Sequence, residues 1–560
     1  MEGKQEIQPM QPISEKPAAL DRRAEVPDFI PFLKPGERVI NVETPIIKTP
    51  NEYPSSLKAL KILAGVDVGG SFREIGLHGP SVASRAVKEN EGIEALRKFE
   101  VLFGRDSLRV ALDVSDHYPE LLKTTILNLA QLQGVRENIK SEEQVGRIIH
   151  EYRDPATDSI AQRITQEHGW EWPYYASVDA TVSYVNAISE YCKKSSEGIN
   201  FLNQQFLGKD GQEHTIGDSL KTATSWIKHR MDYRMIENEN GENVEVKNEE
   251  GLIESKALFK GSHQNQVWKD SWDSYHHKDG TMANHKQGIA SIEVQAQAFD
   301  AMLGASETYE KLMEALPGGQ RQVYKDEVMD FKKRAENLKK MVMEKFWVED
   351  EKGGYFVLGT DRDDNGILRQ LKIRTSNMGH LLNSRILDGD DPEILDKRNK
   401  VIKTLFSKEM LAASGIRTLA SDEVRFWPGR YHNGNVWLWD TYYISQGLER
   451  HGFYGLSAEL NRRIWSVVDK FHKFPEFARG GDEPEPMLNT RIVDLWDETN
   501  NRRNRIEQPP QEIQAWTVAA MVDAKYKRGN QVLGRQERLP TVAIDQDKRQ
   551  LEEEVFPSRT

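Results

Sequence analysis

Two long helical periods joined by a very short link are the strongest constraint in this chain. Between 292 and 316 the apolar positions Ile292, Ala296, Phe299, Tyr309, Leu312 and Leu316 keep near-helical spacing. Between 321 and 346 Val323, Val328, Phe331, Ala335, Leu338, Val342 and Phe346 do the same. The link "LPGGQ" has room only for a tight turn, so the two helices pack as an antiparallel hairpin. Pro119 followed by "ELLKTTILNLAQLQG" predicts a further helix with a proline start and a terminal glycine. Such hairpins recur along the chain. Strands do not alternate with helices as a parallel sheet requires, and no fixed-period repeat is present, so an all-α toroid of hairpins is expected rather than a solenoid.

The ends of the chain differ from its middle. Residues 1–57, with "PDFIPFLKPGERVINVETPIIKTPNEYP", are too rich in proline to be helical and are expected to wrap the following domain as an extended arm. The expected division is an arm over 1–60, one helical domain over 61–530 and a tail over 531–560. One stretch disagrees with it. "ILAGVDVGGSF", residues 62–72, resembles the first phosphate loop of sugar kinases and actin-like proteins, although strands to support that fold are lacking around it.

Charge and cysteine content narrow the function. With 76 basic against 88 acidic residues the net charge is −12, without a long basic run, which argues against nucleic acid and for a neutral or small partner. The single cysteine, Cys192, excludes an internal disulfide. The start "MEGKQEIQPMQPISEK" lacks the apolar core of a secretory signal, and the mean hydropathy is −0.67, so a cytoplasmic protein without membrane contact is expected.

The polar clusters repeat one chemistry. "QVWKDSWDSYHHKDG", residues 266–280, sets Asp270 between Trp268 and Trp272, an acid among flat apolar faces that suits a sugar. "FEVLFGRDSLRVAL" places Arg105 and Asp106 at a helix start, where they could face a cleft or simply cap the helix. "WEWPYYASVDATVSYV" carries Tyr175 and Asp179 in a dense aromatic run, which reads either as core or as a sugar platform. "FWPGRYHNGNVWLWDTYY" again combines tryptophan with hydrogen-bonding side chains.

In order along the chain, "LFGRDSL", "HEYR", "YYASVDAT", "WKDSWD", "SIEVQAQAF", "SNMGHLL", "SGIRTLAS" and "YHNGNVWLWD" resemble strings of the amylo-α-1,6-glucosidase family, the glucosidase half of glycogen debranching enzymes and their bacterial relatives. The resemblance covers about residues 95–525. It implies an (α/α)6 barrel, or six-hairpin toroid, with loops at one end forming a glucan site. It also implies an inverting glycoside hydrolase acting on α-glucosidic bonds, most simply the α-1,6-linked glucose of branched glucans or oligosaccharides. A phosphorylase or a non-catalytic sugar binder of the same fold, and a sugar kinase, are the alternatives.

The resemblance also implies roles. Hydrolysis of a glycosidic bond needs an acid for the leaving oxygen and a second carboxylate, with no metal and no cofactor. The family's acid matches Asp270, with Asp273 its nearest competitor, and the family's "PELF" matches "FPEFARGGDEPEP", making Glu476 the base. Here "ARGGDEPEP" replaces the family's "CGF", and Glu512 in "PPQEIQAW" stands as the alternative base. Arg105, Asp106, Tyr175, Asp179, Trp268, Lys269, Asp273, His432, Asn433 and Trp437 are the expected carbohydrate-binding residues, and His432 with Arg430 would serve phosphorolysis. The β-sandwich that precedes the barrel in the resembled family is not expected in the residues ahead of "LFGRDSL", and on that expectation a short branched oligosaccharide or small α-glucoside fits as well as glycogen.

Overall fold

The computed structural model describes residues 101–533 except 157, 319–320, 490–493, 498–501 and 506–508. The expected arm and the "VDVGGSF" loop lie outside the described residues, as does the tail beyond 533. The long helices are α1 (Gly104–Asp113), α2 (Pro119–Gln131), α3 (Ser159–His168), α4 (Asp179–Lys194), α5 (Ile216–Asp232), α6 (Ile292–Ala315), α7 (Arg321–Lys345), α8 (Pro392–Leu405), α9 (Leu438–Arg450), α10 (Tyr454–Phe471) and α11 (Ala515–Leu533). None is long and apolar enough to cross a membrane.

The expected hairpin is α6 packed on α7. Val328, Phe331, Ala335, Leu338, Val342 and Phe346 are buried, but Val323 is 70% exposed. The seam begins instead at Tyr324, whose ring lies 5.3 Å from Tyr309. Tyr324 precedes Val328 by four residues and Phe331 by seven, which keeps one helical face, whereas Val323 falls out of phase.

Helix contacts run in a closed circuit: α1 packs on α4, α4 on α6, and α6 on the short turn Asn377–His380, which packs on α9; α9 then meets α11, and α11 returns to α1. Behind this circuit, α2 backs α1 and α4, α5 backs α4, α7 backs α6, α8 backs the 377–387 turns and α10 backs α9. A single large apolar cluster joins the two layers. The fold is helix-rich but not purely helical: short antiparallel pairs, none wider than three strands among the described residues, fill the connections.

Two of these pairs set the starts of helices in the circuit. β1 (Leu102–Phe103) pairs with β2 (Glu151–Tyr152), and β3 (Val436–Trp437) pairs with β4 (Phe477–Ala478). Helix α1 follows β1 directly, and α9 follows β3. The first pair depends on Gly104, whose N–H donates to the His150 carbonyl at 2.9 Å. A Cβ there would fall 2.1 Å from the Ile149 carbonyl oxygen, so only glycine lets α1 start against this strand. Gly104→Ala is therefore expected to destabilise the protein by about 1–3 kcal/mol, measured as a lowered denaturant midpoint.

Candidate active site

A cavity of about 620 Å³ opens where α1, α9 and α11 begin, a volume suited to a small molecule. Its floor is tryptophan and carboxylate: Trp268, Trp437 and Trp516 with Asp106, Asp270 and Glu476. The indole of Trp268 meets His432 and Trp437 edge-on, at 5.5 Å and 5.9 Å. The partial positive charge of several helix N-termini at this end favours the carboxylates gathered there.

Arg105, in the first turn of α1, is the electrostatic centre. Its Nη1 lies 3.3 and 3.2 Å from the two carboxylate oxygens of Asp179, the first residue of α4. Its Nη2 is 3.5 Å from Asp270 Oδ2, and its Nε is 3.8 Å from Asp106. Asp179 also accepts from Ser177 Oγ at 2.5 Å, which fixes its orientation. Asp270 keeps 30% of its side chain exposed. Burial, opposed by Arg105 and assisted by Asp106 and Asp179, pushes its carboxyl up to about 6. Beside it, His432 is held well below the usual imidazole range by burial and by Lys269 and Arg105, so it is neutral. Its Nδ1 accepts from the Ser271 N–H at 3.3 Å and faces Ser271 Oγ at 2.7 Å, leaving the proton on Nε2.

Glu476 is held differently, by neutral donors. The Tyr431 hydroxyl donates to Oε1 at 2.5 Å, the Gln511 side-chain amide donates to Oε1 at 3.3 Å, and the Gln511 backbone N–H donates to Oε2 at 3.2 Å. Burial pushes its carboxyl up to about 7, while Tyr431 and Gln511 pull the other way and Asp106 and Asp270 add to the rise. The segment that follows it touches the "YHNG" loop through two glycines, since a Cβ on Gly480 would fall 1.8 Å from the Gly434 carbonyl oxygen. Arg417 pins the far side, donating to the carbonyls of Gly480 at 2.6 Å and Gly481 at 2.8 Å. The "ARGG" departure from the resembled pattern thus supplies a close strand approach.

Of the residues singled out from the sequence, Asp270, Glu476, Arg105, Asp106, Trp268, His432 and Trp437 line the cavity. Asp179 lies beneath it, against Arg105. Five others do not reach it. Tyr175 is fully buried, its hydroxyl donating to the Leu132 carbonyl at 2.8 Å, because most of the aromatic run from 170 to 178 serves as core. Lys269 points away from its neighbour Asp270 and donates to the Thr418 carbonyl at 2.7 Å. Asp273 is buried with Arg430 and with Asn433, whose amide donates to it at 3.0 Å, so these three form a structural unit behind the wall. Glu512 pairs with Lys473 outside the cavity. Adjacent residues of extended chain point to opposite sides, which is why Gln511 reaches Glu476 and Glu512 does not.

Sequence reasoning missed Tyr431, Gln511, Trp516 and Trp170 as cavity residues. Tyr431 and Gln511 each sit within a quoted string beside a candidate residue, and their own polarity carries no distinguishing signal. Trp272, at 48% exposed, stands at the cavity wall.

Residues 143–523 match the family described as amylo-alpha-1,6-glucosidase. None of the curated proteins matches the chain. Among solved structures, a GH63 mannosylglycerate hydrolase from Thermus thermophilus in complex with Tris is similar at 11% identity and a TM-score of 0.49, over 84% of this chain and 100% of that one. An uncharacterized conserved protein from Thermus thermophilus is similar at 11% identity and a TM-score of 0.47, over 84% and 99%.

The raised carboxyls have a measurable consequence for folding. Asp270 and Glu476 hold protons in the folded state, to about 6 and about 7, that ordinary carboxyls release near pH 4. Their contribution to stability is full below pH 4 and is lost as pH rises to about 7, by about 3 kcal/mol each. Denaturant midpoints measured from pH 4 to 8 should show this loss, and Glu476→Gln should flatten it. Parallel curves for the two proteins would contradict the burial of Glu476.

Proposed function

Because the chain belongs to the amylo-alpha-1,6-glucosidase family, we propose that it is an inverting glycoside hydrolase that cleaves α-glucosidic bonds, with α-1,6-linked glucose of branched oligosaccharides as the leading substrate. The observation that carries this reading is that two carboxyls of raised proton affinity, the partly exposed Asp270 and the buried Glu476, face one cavity lined by tryptophan. We read the closed circuit of helices as the inner ring of an (α/α)6 barrel, in which the 377–387 turns take the place of one long inner helix.

In this mechanism Asp270 is the general acid and Glu476 the general base. Water attacks the anomeric carbon and passes a proton to Glu476 as the glycosidic C–O bond breaks, while Asp270 gives its proton to the departing oxygen. With Glu476 at about 7 and Asp270 at about 6, the active form, in which Asp270 carries the proton and Glu476 is ionised, is a minor population near neutral pH. Their surroundings separate the roles. Glu476 receives three N–H or O–H donors, which suits an anion that accepts a proton, whereas Asp270 keeps an open edge toward the cavity. The carboxyl-rich floor also favours the positive charge that develops on the sugar ring.

The surroundings of Arg430 and His432 speak against phosphorolysis. Arg430 is taken by Asp273, and His432 is neutral, so neither offers a free positive charge to phosphate. A panel of α-glucosides, with and without phosphate, should release glucose and no glucose 1-phosphate.

Asp270→Asn is expected to lower kcat by about a hundred- to ten-thousand-fold with the fold intact, because the amide is nearly isosteric and donates no catalytic proton. If Asp270→Asn kept most of the rate, Asp270 would not be the acid. Inversion is read from proton NMR of the fresh product: β-glucose should appear first. An initial α-anomer would remove the water-activating role of Glu476.

A further inference from the structure

The donors around Glu476 leave its two oxygens unequal. Each carboxylate oxygen has two lone pairs. Among the described residues, Oε1 accepts twice, from the Tyr431 hydroxyl at 2.5 Å and the Gln511 side chain at 3.3 Å, whereas Oε2 accepts only the Gln511 N–H at 3.2 Å. We infer that Tyr431 and Gln511 are positioning residues that hold Glu476 so that Oε2 alone receives the proton from water. The inference rests on the reading of Glu476 as the base.

Both donors are themselves fixed. The Tyr431 ring stands edge-on to Phe477 at 5.3 Å and to Trp437 at 4.9 Å, and its carbonyl accepts from Trp437 Nε1 at 2.8 Å. The pairing of β3 with β4, in register Trp437 to Phe477, ties this loop to the residue after Glu476. Gln511 is tied in return, since its carbonyl accepts the Glu476 N–H at 3.0 Å. Tyr431 remains a donor throughout, because burial and the negative charges of Glu476, Asp270 and Asp106 push its phenol well above the usual range. When Oε2 takes the water proton, Oε1 becomes the carbonyl oxygen of a neutral acid and keeps both of its donors, so no partner has to move. The other groups around the pair are Asp106, Asp270, Arg105 and the neutral His432.

The test is Tyr431→Phe, which keeps the ring and removes the donor. Without that hydrogen bond the ionised form of Glu476 loses support, so its proton affinity should rise by about one pH unit. With Asp270 at about 6 and Glu476 at about 7, it is the alkaline limb of kcat/KM that should move upward by the same amount, while the profile as a whole falls. We expect kcat at pH 6 to fall about tenfold or more, with KM within about twofold. An activity-independent measurement accompanies it: infrared titration of the resting protein follows the carboxyl band that disappears in Glu476→Gln. A midpoint unmoved by Tyr431→Phe would overturn the inference, since a merely structural tyrosine leaves it in place. A midpoint that rises in a protein whose wild type cleaves no α-glucoside would support the positioning of Glu476 and sink the hydrolase reading. If Tyr431→Phe does not fold, Gln511→Ala gives the same two readouts with a smaller shift.

Discussion

Arg105 is a cation held largely out of water against Asp106, Asp179 and Asp270, and the geometry of the cavity derives from that arrangement. It joins the first turn of α1 to the first residue of α4 and to the loop before α6, segments 74 and 165 residues apart in sequence. Without the guanidinium, three carboxyls would share one low-dielectric pocket, and an uncompensated buried charge costs several kcal/mol. The cation cannot hold all of them fully ionised, however. Asp270, 3.5 Å from the guanidinium, is pushed up by burial and by the neighbouring charges of Asp106 and Asp179 more than Arg105 pulls it down.

The opposite wall solves the same problem without a cation. Glu476 is surrounded by a phenol, an amide and a backbone N–H, which stabilise its charge while leaving the proton affinity high enough to accept a proton near neutral pH. Two carboxyls in one cavity therefore experience different surroundings, one set by a nearby positive charge and one by oriented dipoles. Each environment is assembled from loops that precede helices, and the helices supply rigidity: α1, α9 and α11 are locked together through their contacts in the circuit.

Some of this is legible in the chain. The hairpin of α6 and α7 follows from periodicity, because burying an apolar stripe admits few alternatives once two such stripes are separated by so short a link. Asp270 stands out because tryptophans flank it, and Arg105 and Asp106 because they begin an amphipathic run. The errors have a common form. Lys269, Asp273, Asn433 and Tyr175 attract attention as polar neighbours of good candidates, yet in a loop the neighbouring residue often faces the core. There Lys269 meets a backbone carbonyl and Asp273 meets Arg430 and Asn433. Val323 in place of Tyr324 is a one-residue slip of the same kind, and Glu512, the alternative base, pairs with Lys473 while its neighbour Gln511 reaches Glu476.

By itself, then, the sequence determined the hairpins, the charge balance and the residue types available for chemistry, since these depend on local spacing and composition. Tertiary structure decided which carboxyl faces which, because sequence neighbours diverge and distant residues converge: Tyr431 meets Glu476 across 45 residues and Gln511 meets it across 35. It also decided proton affinity, which depends on burial and on the charges within a few ångströms. No linear spacing encodes either quantity, and both arise only once α1, α4, α9 and α11 have closed around Arg105 and Glu476.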